Sequence, residues 1–221
     1  MRKLSFIDWS LYLVTDSRQS RGRSNLEIIQ AAVRGGATVV QLREKEMTSQ
    51  TFYEEGLQIG KFLKQTGVMF LINDRVDMVL ALDADGVHLG KNDMPVSVAR
   101  KLLGYDKIIG RSVEHPDEVE AAERDGADYL GASPIYTTPT KPELETGLGL
   151  EGLRKIRQKT PLPVIAIGSM NQRTVADVIA AGADGVAIVS AIVAADDPET
   201  AAREILEQVI IGRTRAVKHP V

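Results

Sequence analysis

A short pattern that recurs four times along the chain limits the fold more than any other feature. A small-residue turn precedes a short apolar run in RGGATVVQL (34–42), LDADGVHLG (82–90), RDGADYLGA (124–132) and AAGADGVAIVS (180–190). Aligned on Ala37, Ala84, Ala127 and Ala183, the stretches lie 47, 43 and 56 residues apart. Each follows a helical pattern, and glycine suits the left-handed conformation at a helix C-terminus. The pattern predicts repeated helix–turn–strand units.

Four further apolar runs lie between these units, and together they give eight candidate strands. The runs are LYLVTD (11–16), VMFLIND (68–74), KIIGRS (107–112) and PVIAIGS (163–169). They are nearly continuous in apolar residues, which is typical of parallel strands covered on both faces. Eight β/α units predict an α/β fold, a single (β/α)8 TIM barrel, over residues 1–212. A doubly wound open sheet is the alternative, and the polar segment 213–221 is predicted to be a frayed tail.

The composition of the chain argues against several classes of function. The net charge of −3 offers no broad basic field for nucleic acid, and the absence of cysteine excludes disulfides and thiolate metal sites. No apolar run is long enough to span a membrane. Asp8 interrupts the apolar start of the chain, which argues against a signal peptide. We therefore expect a cytoplasmic protein with small-molecule partners, no nucleic acid and no membrane; a homo-oligomer is left open.

Polar residues follow the predicted strands, at the end of a barrel where catalytic groups collect. The candidates are Gln41, Leu42, Arg43, Glu44 and Lys45 after strand 2, Asn73 and Asp74 after strand 3, Asp93 after strand 4, Ser112 at strand 5, Ser169 after strand 7, and Val189 and Ser190 after strand 8. The segment 133–147 after strand 6 is long for a βα loop, which indicates function. It contains Thr138, Pro139, Thr140 and Lys141.

These strand ends combine cations with two separated carboxylates. Arg43, Lys45 and Lys141 with Asp74 and Asp93 form a set suited to Mg²⁺ and a diphosphate, because Mg²⁺ is held by one or two carboxylates, substrate oxygens and water. The three histidines have no ligand spacing for zinc. The alternative is that both aspartates cap the helices that follow them. The charged residues after strand 2 are then a solvated surface run.

A second anion site is predicted at the ends of strands 7 and 8. Barrels often bind phosphate there through backbone N–H groups, and the small residues around Ser169 and Ser190 allow a close approach. Tight packing alone is the alternative. The segment GLGLEG (147–152) matches a dinucleotide fingerprint, but it follows a polar loop rather than a strand, so we reject that interpretation.

The segments YLVTD, QLREK, INDRVD, ADGVHLG, DMP, SPIYTTPTK, GLGLEGL and GADGVAIVSAI, in this order and spacing, resemble the thiamine-phosphate synthase family over nearly the whole chain. The resemblance implies a (β/α)8 transferase that joins 4-amino-2-methyl-5-(diphosphooxymethyl)pyrimidine to thiazole phosphate by a dissociative, Mg²⁺-assisted reaction. It implies pyrimidine diphosphate contacts from Gln41–Lys45, Asn73, Ser112 and Lys141. It also implies Mg²⁺ on Asp74 and Asp93, and thiazole phosphate on Thr138–Thr140, Ser169, Val189 and Ser190. Lys141, Arg43, Lys45 and Ser112 would be catalytic.

Two departures from the family pattern keep other functions in view. Gly168-Ser169 stands where the family usually has Gly-Gly, so a side chain could crowd the phosphate. The segment GRSVEHPDE resembles a related barrel, the thiazole tautomerase, but Glu114 occupies the position of its catalytic histidine and His115 follows one residue later. A tautomerase-like isomerase and a non-catalytic phosphate-binding barrel are therefore the alternative functions.

Overall fold

The computed structural model describes residues 7–136 and 147–218, and its eight parallel strands form a closed barrel in chain order. The strands are β1 (Leu11–Val14), β2 (Val39–Leu42), β3 (Met69–Asn73), β4 (Gly86–Leu89), β5 (Ile108–Val113), β6 (Tyr129–Ala132), β7 (Val164–Ile167) and β8 (Gly185–Ile188). Strand β8 pairs with β1, with Tyr12 opposite Ala187. The predicted TIM barrel is confirmed, and closure excludes the open-sheet alternative.

Helices follow the strands and cover the barrel from outside. They are α1 (Asn25–Arg34), α2 (Ser49–Thr66), α3 (Val76–Leu82), α4 (Val96–Leu103), α5 (Val119–Arg124), α6 (Gly149–Lys159), α7 (Val175–Ala180), α8 (Ser190–Val193) and α9 (Pro198–Lys218). Among the described residues, no helix combines the length and apolar character of a membrane span. Short 3₁₀ turns lie at Ser17–Gln19 and Pro116–Glu118.

Side chains alternate between the two faces of each strand. On β2, Val40 and Leu42 pack in the layer between strands and helices, whereas Val39 and Gln41 point into the barrel. Both layers are buried, which explains why the strands are apolar at nearly every position. Polar groups such as Gln41 enter the interior towards the carboxyl end of the barrel.

The four sequence repeats have one structure. In each, the aligned alanine donates its backbone N–H to the carbonyl five residues earlier, as in Ala37 to Ala32 and Ala183 to Val178. The preceding residue has positive φ: +101° at Gly36, +98° at Gly126 and +109° at Gly182. This is a Schellman-type helix end, which turns the chain from α1, α3, α5 and α7 into the even-numbered strands. In the second repeat Asp83 takes this conformation, with φ +49°.

The residue after each aligned alanine ties two strands together. Asp85 Oδ2 accepts a hydrogen bond from the Phe70 N–H (2.8 Å), Asp128 Oδ2 from Ile109 (2.8 Å) and Asp184 Oδ2 from Val164 (2.7 Å). Thr38 Oγ1 accepts one from Leu11 (3.3 Å). Each side chain thus connects the start of an even strand to the start of the preceding odd strand. We call these four bonds the strand clasps.

The last helix extends beyond residue 212, the predicted end of the barrel. Helix α9 begins at Pro198 as the sequence indicates, with Asp197 Oδ1 accepting the Glu199 N–H at 3.1 Å. It then continues past Gly212 to Lys218, so the segment predicted to be a frayed tail is helical over 213–218. Arg215 pairs with Asp177 of α7 at 2.6 Å, which anchors this last part of the helix.

Candidate active site

The loops after β1 and β2 form a charged recess at the carboxyl end of the barrel. Its volume is about 160 Å³, and it is lined by Asp16, Ser17, Arg18, Arg43, Glu44, Lys45, Glu46 and Met47. Three of these residues, Arg43, Glu44 and Lys45, were predicted from the sequence as site residues. The recess therefore brings two predicted phosphate-binding cations to one place.

Asp16 organises the β1 side of this recess. Burial acts to raise the pKa of its carboxyl, but hydrogen bonds from Arg18 and Gln19 outweigh that effect and hold the pKa below its usual value. Arg43 Nη1 lies 3.8 Å from Asp16 Oδ2, and the Arg43 backbone N–H donates to Thr15 Oγ1 at 2.9 Å. A charged carboxylate thus restrains the Arg43 guanidinium at the rim.

Glu44 connects the two loops. Its carboxylate accepts hydrogen bonds from the Ser17 backbone N–H (3.1 Å), the Ser17 hydroxyl (2.6 Å) and Asn25 Nδ2 (2.8 Å). The Leu42 side chain is fully buried in the layer beneath the helices. For both residues, the backbone is the part available to a ligand at the rim.

Two carboxylates meet next to a lysine on the neighbouring part of the rim. Lys45 Nζ lies 4.0 Å from Asp74 Oδ2, and the Asp93 carboxyl lies within hydrogen-bonding range of Asp74. Burial and the adjacent Asp93 raise the pKa of Asp74 to about 7, although Lys45 and an Asn73 hydrogen bond oppose this. Two carboxylates that lie close enough to disfavour each other's charged form are suited to bind one cation between them.

Neither aspartate caps a helix. Helix α3 has Arg75 at its N-cap and α4 has Pro95, and neither N-cap makes a side-chain capping bond. Asp93 Oδ2 instead accepts the Gly90 N–H at 2.6 Å, which fixes its carboxylate in the β4 loop. The capping alternative is therefore wrong for both residues. In the described parts of the chain, no three His, Asp or Glu side chains converge on a metal position. A cation here would thus have the two carboxylates that Mg²⁺ typically uses.

A chain of buried polar groups crosses the barrel interior below the rim. Gln41 Nε2 donates to Tyr12 Oη (2.6 Å), and Tyr12 Oη lies 3.0 Å from Tyr129 Oη. Tyr129 Oη lies 2.9 Å from His88 Nδ1, and His88 Nε2 lies 2.9 Å from Ser112 Oγ. We call these five residues the interior relay. It joins two predicted site residues, Gln41 and Ser112, through three residues that sequence reasoning missed.

Two glycines make room for the relay. A Cβ at Gly110 would lie 2.1 Å from Cζ of Tyr129, and a Cβ at Gly131 would lie 2.8 Å from Cε1 of His88. Glycine inside a strand often marks such a close approach. The glycines in KIIGRS and YLGA were therefore the available signal for the relay.

The ends of β7 and β8 present small exposed residues at the rim. Gly168 and Ser169 both have positive φ, +114° and +49°, and Ser169 is exposed. Val189 precedes the short helix α8, and Ser190, its first residue, is also exposed. The first N–H groups of a helix lack intrahelical partners, so this corner can offer donors to an anion.

Known proteins resemble this chain over most of its length. The sequence profile of the family described as thiamine monophosphate synthase matches residues 11–192. The chain belongs to the thiamine monophosphate synthase family. A thiamine-phosphate synthase of Chloroflexus aurantiacus is 51% identical over 211 residues, which cover 96% of this chain and 97% of that protein. A thiamine-phosphate synthase of Natronomonas pharaonis is 48% identical over 205 residues, with 91% and 95% covered.

A solved structure supports the same assignment. The thiamine phosphate pyrophosphorylase from Pyrococcus furiosus is 38% identical and has a TM-score of 0.86, with 93% of this chain and 98% of that chain covered. Membership of the thiamine monophosphate synthase family thus identifies the chain as an enzyme of the transferase type.

The predicted residues Thr138, Pro139, Thr140 and Lys141 lie outside the described residues. His115 is exposed at the start of the turn Pro116–Glu118.

Proposed function

We propose that the chain joins 4-amino-2-methyl-5-(diphosphooxymethyl)pyrimidine to thiazole phosphate and releases thiamine phosphate and diphosphate. The names of its relatives support this reaction. The observation that carries the proposal is the meeting of Lys45 with the carboxylate pair Asp74 and Asp93, next to the recess that contains Arg43. Cations beside a two-carboxylate site suit a diphosphate leaving group better than a monophosphate alone.

The proposed reaction exchanges one bond for another without proton transfer. The bond between the pyrimidine methylene carbon and the diphosphate oxygen breaks, and the oxygen keeps the electron pair. The resulting pyrimidinylmethyl cation is captured by the lone pair of the thiazole nitrogen, which forms the new C–N bond. The task of the rim is therefore to stabilise negative charge on the leaving oxygen rather than to activate a nucleophile.

Arg43 and Lys45 would bind the diphosphate, and the sequence adds Lys141 to this group. Mg²⁺ bound by Asp74 and Asp93 would neutralise further charge on the diphosphate. A hydrogen bond from Asn73 would favour the charged form of the Asp74 carboxylate, which is the form that binds a cation.

The two end residues of the interior relay, Gln41 and Ser112, would contact the pyrimidine diphosphate from below. The Gln41 amide is buried at the end of β2, and the half-buried Ser112 hydroxyl lies at the end of β5. Leu42 and Glu44 would contribute backbone groups, since their side chains are engaged elsewhere. The thiazole phosphate would bind Ser169, Val189 and Ser190, together with Thr138–Thr140 of the β6 loop.

The test is to mix both substrates with the protein and Mg²⁺ and to measure thiamine phosphate and diphosphate by chromatography. We expect equal amounts of both products, and none when a chelator replaces Mg²⁺. Thiazole phosphate alone is the matched control. Isomerisation of that substrate without the pyrimidine would favour the tautomerase-like alternative. Binding of both substrates without product would favour the non-catalytic barrel.

A further inference from the structure

Hydrogen bonding in the interior relay has a direction that its donors and acceptors determine. An amide nitrogen only donates, so the Tyr12 hydroxyl accepts from Gln41 Nε2. If Tyr129 also donated to Tyr12, the Tyr12 proton would have no acceptor among the described residues. Tyr12 therefore donates to Tyr129 at 3.0 Å. Burial raises the pKa of both tyrosines, so each keeps the single proton that this arrangement requires.

The direction continues through the histidine to the rim. With its oxygen already accepting from Tyr12, Tyr129 donates to His88 Nδ1 at 2.9 Å. The imidazole proton is then on Nε2, which donates to Ser112 Oγ at 2.9 Å. The Ser112 proton is consequently turned away from His88. Ser112 is half buried at the carboxyl end of β5, the end of the barrel that carries the rim.

We propose that His88 is a positioning residue that fixes the Ser112 hydroxyl as a hydrogen-bond donor to a substrate oxygen. The proposal rests on the proposed function, because the acceptor would be an oxygen of the leaving diphosphate. In this arrangement His88 acts on the substrate through its hydrogen bond to Ser112. Gly110 and Gly131 support this proposal, since a side chain at either position would clash with the ring of Tyr129 or of His88.

Packing alone does not account for His88. It is 5% exposed in a strand where the outward residues, Val87 and Leu89, are apolar. An aliphatic side chain would fill this interior position at lower cost, because buried polar groups need partners. The position instead carries a ring with two nitrogens, each 2.9 Å from a hydroxyl.

The first experiment measures the histidine tautomer without any substrate. Long-range ¹H–¹⁵N spectra of the full chain distinguish Nε2–H from Nδ1–H imidazole, and comparison with His88→Gln assigns the signal among the three histidines. We expect the Nε2–H tautomer in the wild type. A Tyr129→Phe variant should give a mixture of tautomers, because Nδ1 loses its donor. An Nδ1–H tautomer in the wild type would overturn the proposal.

The second experiment is a double-mutant cycle on turnover. We expect His88→Phe to lower kcat by about tenfold or more with Ser112 present, and by less than twofold in a Ser112→Ala background. His88→Gln should recover part of the loss, since its amide can donate to Ser112. The KM for thiazole phosphate should be unchanged. An equal loss in both backgrounds would mean that His88 does not act through Ser112.

The outcomes separate this proposal from the proposed function. If the wild type forms no thiamine phosphate, the proposed function fails, while the tautomer measurement still decides the direction of the relay. If the wild type is active and His88→Phe stays within twofold of it, only the role of His88 fails. Should His88→Phe not fold, Tyr129→Phe enters the same cycle, because it removes one hydroxyl and keeps the ring.

Discussion

Lys45 Nζ lies 4.0 Å from Asp74 Oδ2, so the ends of the second and third strands place opposite charges next to each other. Asp74 also faces Asp93, and one lysine cannot neutralise two carboxylates. This imbalance leaves a position at the rim for a further positive charge.

Replacing Asp74 by asparagine tests the Mg²⁺ site. The substitution preserves the shape of the side chain and removes its charge, and no helix cap is lost because Arg75 is the N-cap of α3. We expect activity to fall at least 10²-fold and the Mg²⁺ requirement to rise. Magnesium titration at saturating substrate measures both effects. Asp77→Asn, at an exposed carboxylate paired with Arg75, is the control and should change activity less than twofold.

The same variant should be more stable than the wild type when no metal is present. The pKa of the Asp74 carboxyl is raised from 3.8 to about 7 by burial and Asp93, so the folded state binds more protons than the unfolded state between these pH values. Wild-type stability therefore falls as pH rises through this range, and Asp74→Asn escapes the loss. Urea unfolding with chelator at pH 5 and pH 8 should show the advantage growing to about 1–2 kcal/mol, allowing for solvent screening.

The control variant for this stability prediction, Asp77→Asn, is expected to change the free energy of unfolding in the opposite direction. A hydrogen bond from Arg75 holds the pKa of Asp77 below its usual value, so the charged carboxylate contributes stability above pH 4 or so. Asp77→Asn should therefore be slightly less stable than the wild type at pH 8. An Asp74→Asn advantage that is the same at both pH values would show that charge repulsion is not its cause.

Lys45→Ala should reduce turnover with little effect on folding. The side chain is 57% exposed and its partner is 4.0 Å away, so the ion pair adds little stability. Removal of one group that stabilises a leaving anion costs about 10²-fold in rate. Steady-state kinetics and thermal unfolding check the two parts. Lys61→Ala, at an exposed position of α2, is the matched control. Similar kinetics in both variants would remove Lys45 from the reaction.

Ser169→Gly should stabilise the protein and keep thiazole phosphate binding. Ser169 has φ +49°, a left-handed conformation that costs a side-chain-bearing residue about 1 kcal/mol or more relative to glycine. The greater freedom of glycine in the unfolded chain reduces the net gain to about 0.5–1 kcal/mol. Thermal unfolding and calorimetric titration with thiazole phosphate measure both quantities. Ser169→Ala keeps the strain and loses the hydroxyl. An affinity loss above tenfold in the glycine variant would assign a contact to the side chain.

The sequence predicted the eight strands because both faces of each are buried, which leaves a nearly continuous apolar run. For the same reason it did not reveal which residues point inward. His88 lies in the apolar run GVHL, where nothing in the one-dimensional pattern separates the interior face from the exterior face. The strand register, which only the three-dimensional structure supplies, places His88 opposite Asn73 and Gly110.

The sequence indicated which residues lie at the rim better than it indicated what each side chain contacts. Arg43, Lys45, Asp74 and Asp93 come together as expected from the ends of parallel strands. Glu44 lies in the same motif, but its carboxylate is used by Ser17 and Asn25, which are distant in sequence. A contact of this kind depends on how two loops cross. A sequence motif therefore predicts the position of a side chain at the end of a strand. It does not predict the contacts which that side chain makes with another loop.

The strand clasps divide the barrel into four units of two strands each, and every unit is contiguous along the chain. Thr38, Asp85, Asp128 and Asp184 each hold a pair made by one odd strand and the even strand that follows it. Gly67, between the first and second units, is exposed, with open space around it. A circular permutant that begins at Gly67, with the original N- and C-termini joined by a linker, would contain the same four units in a different order along the chain.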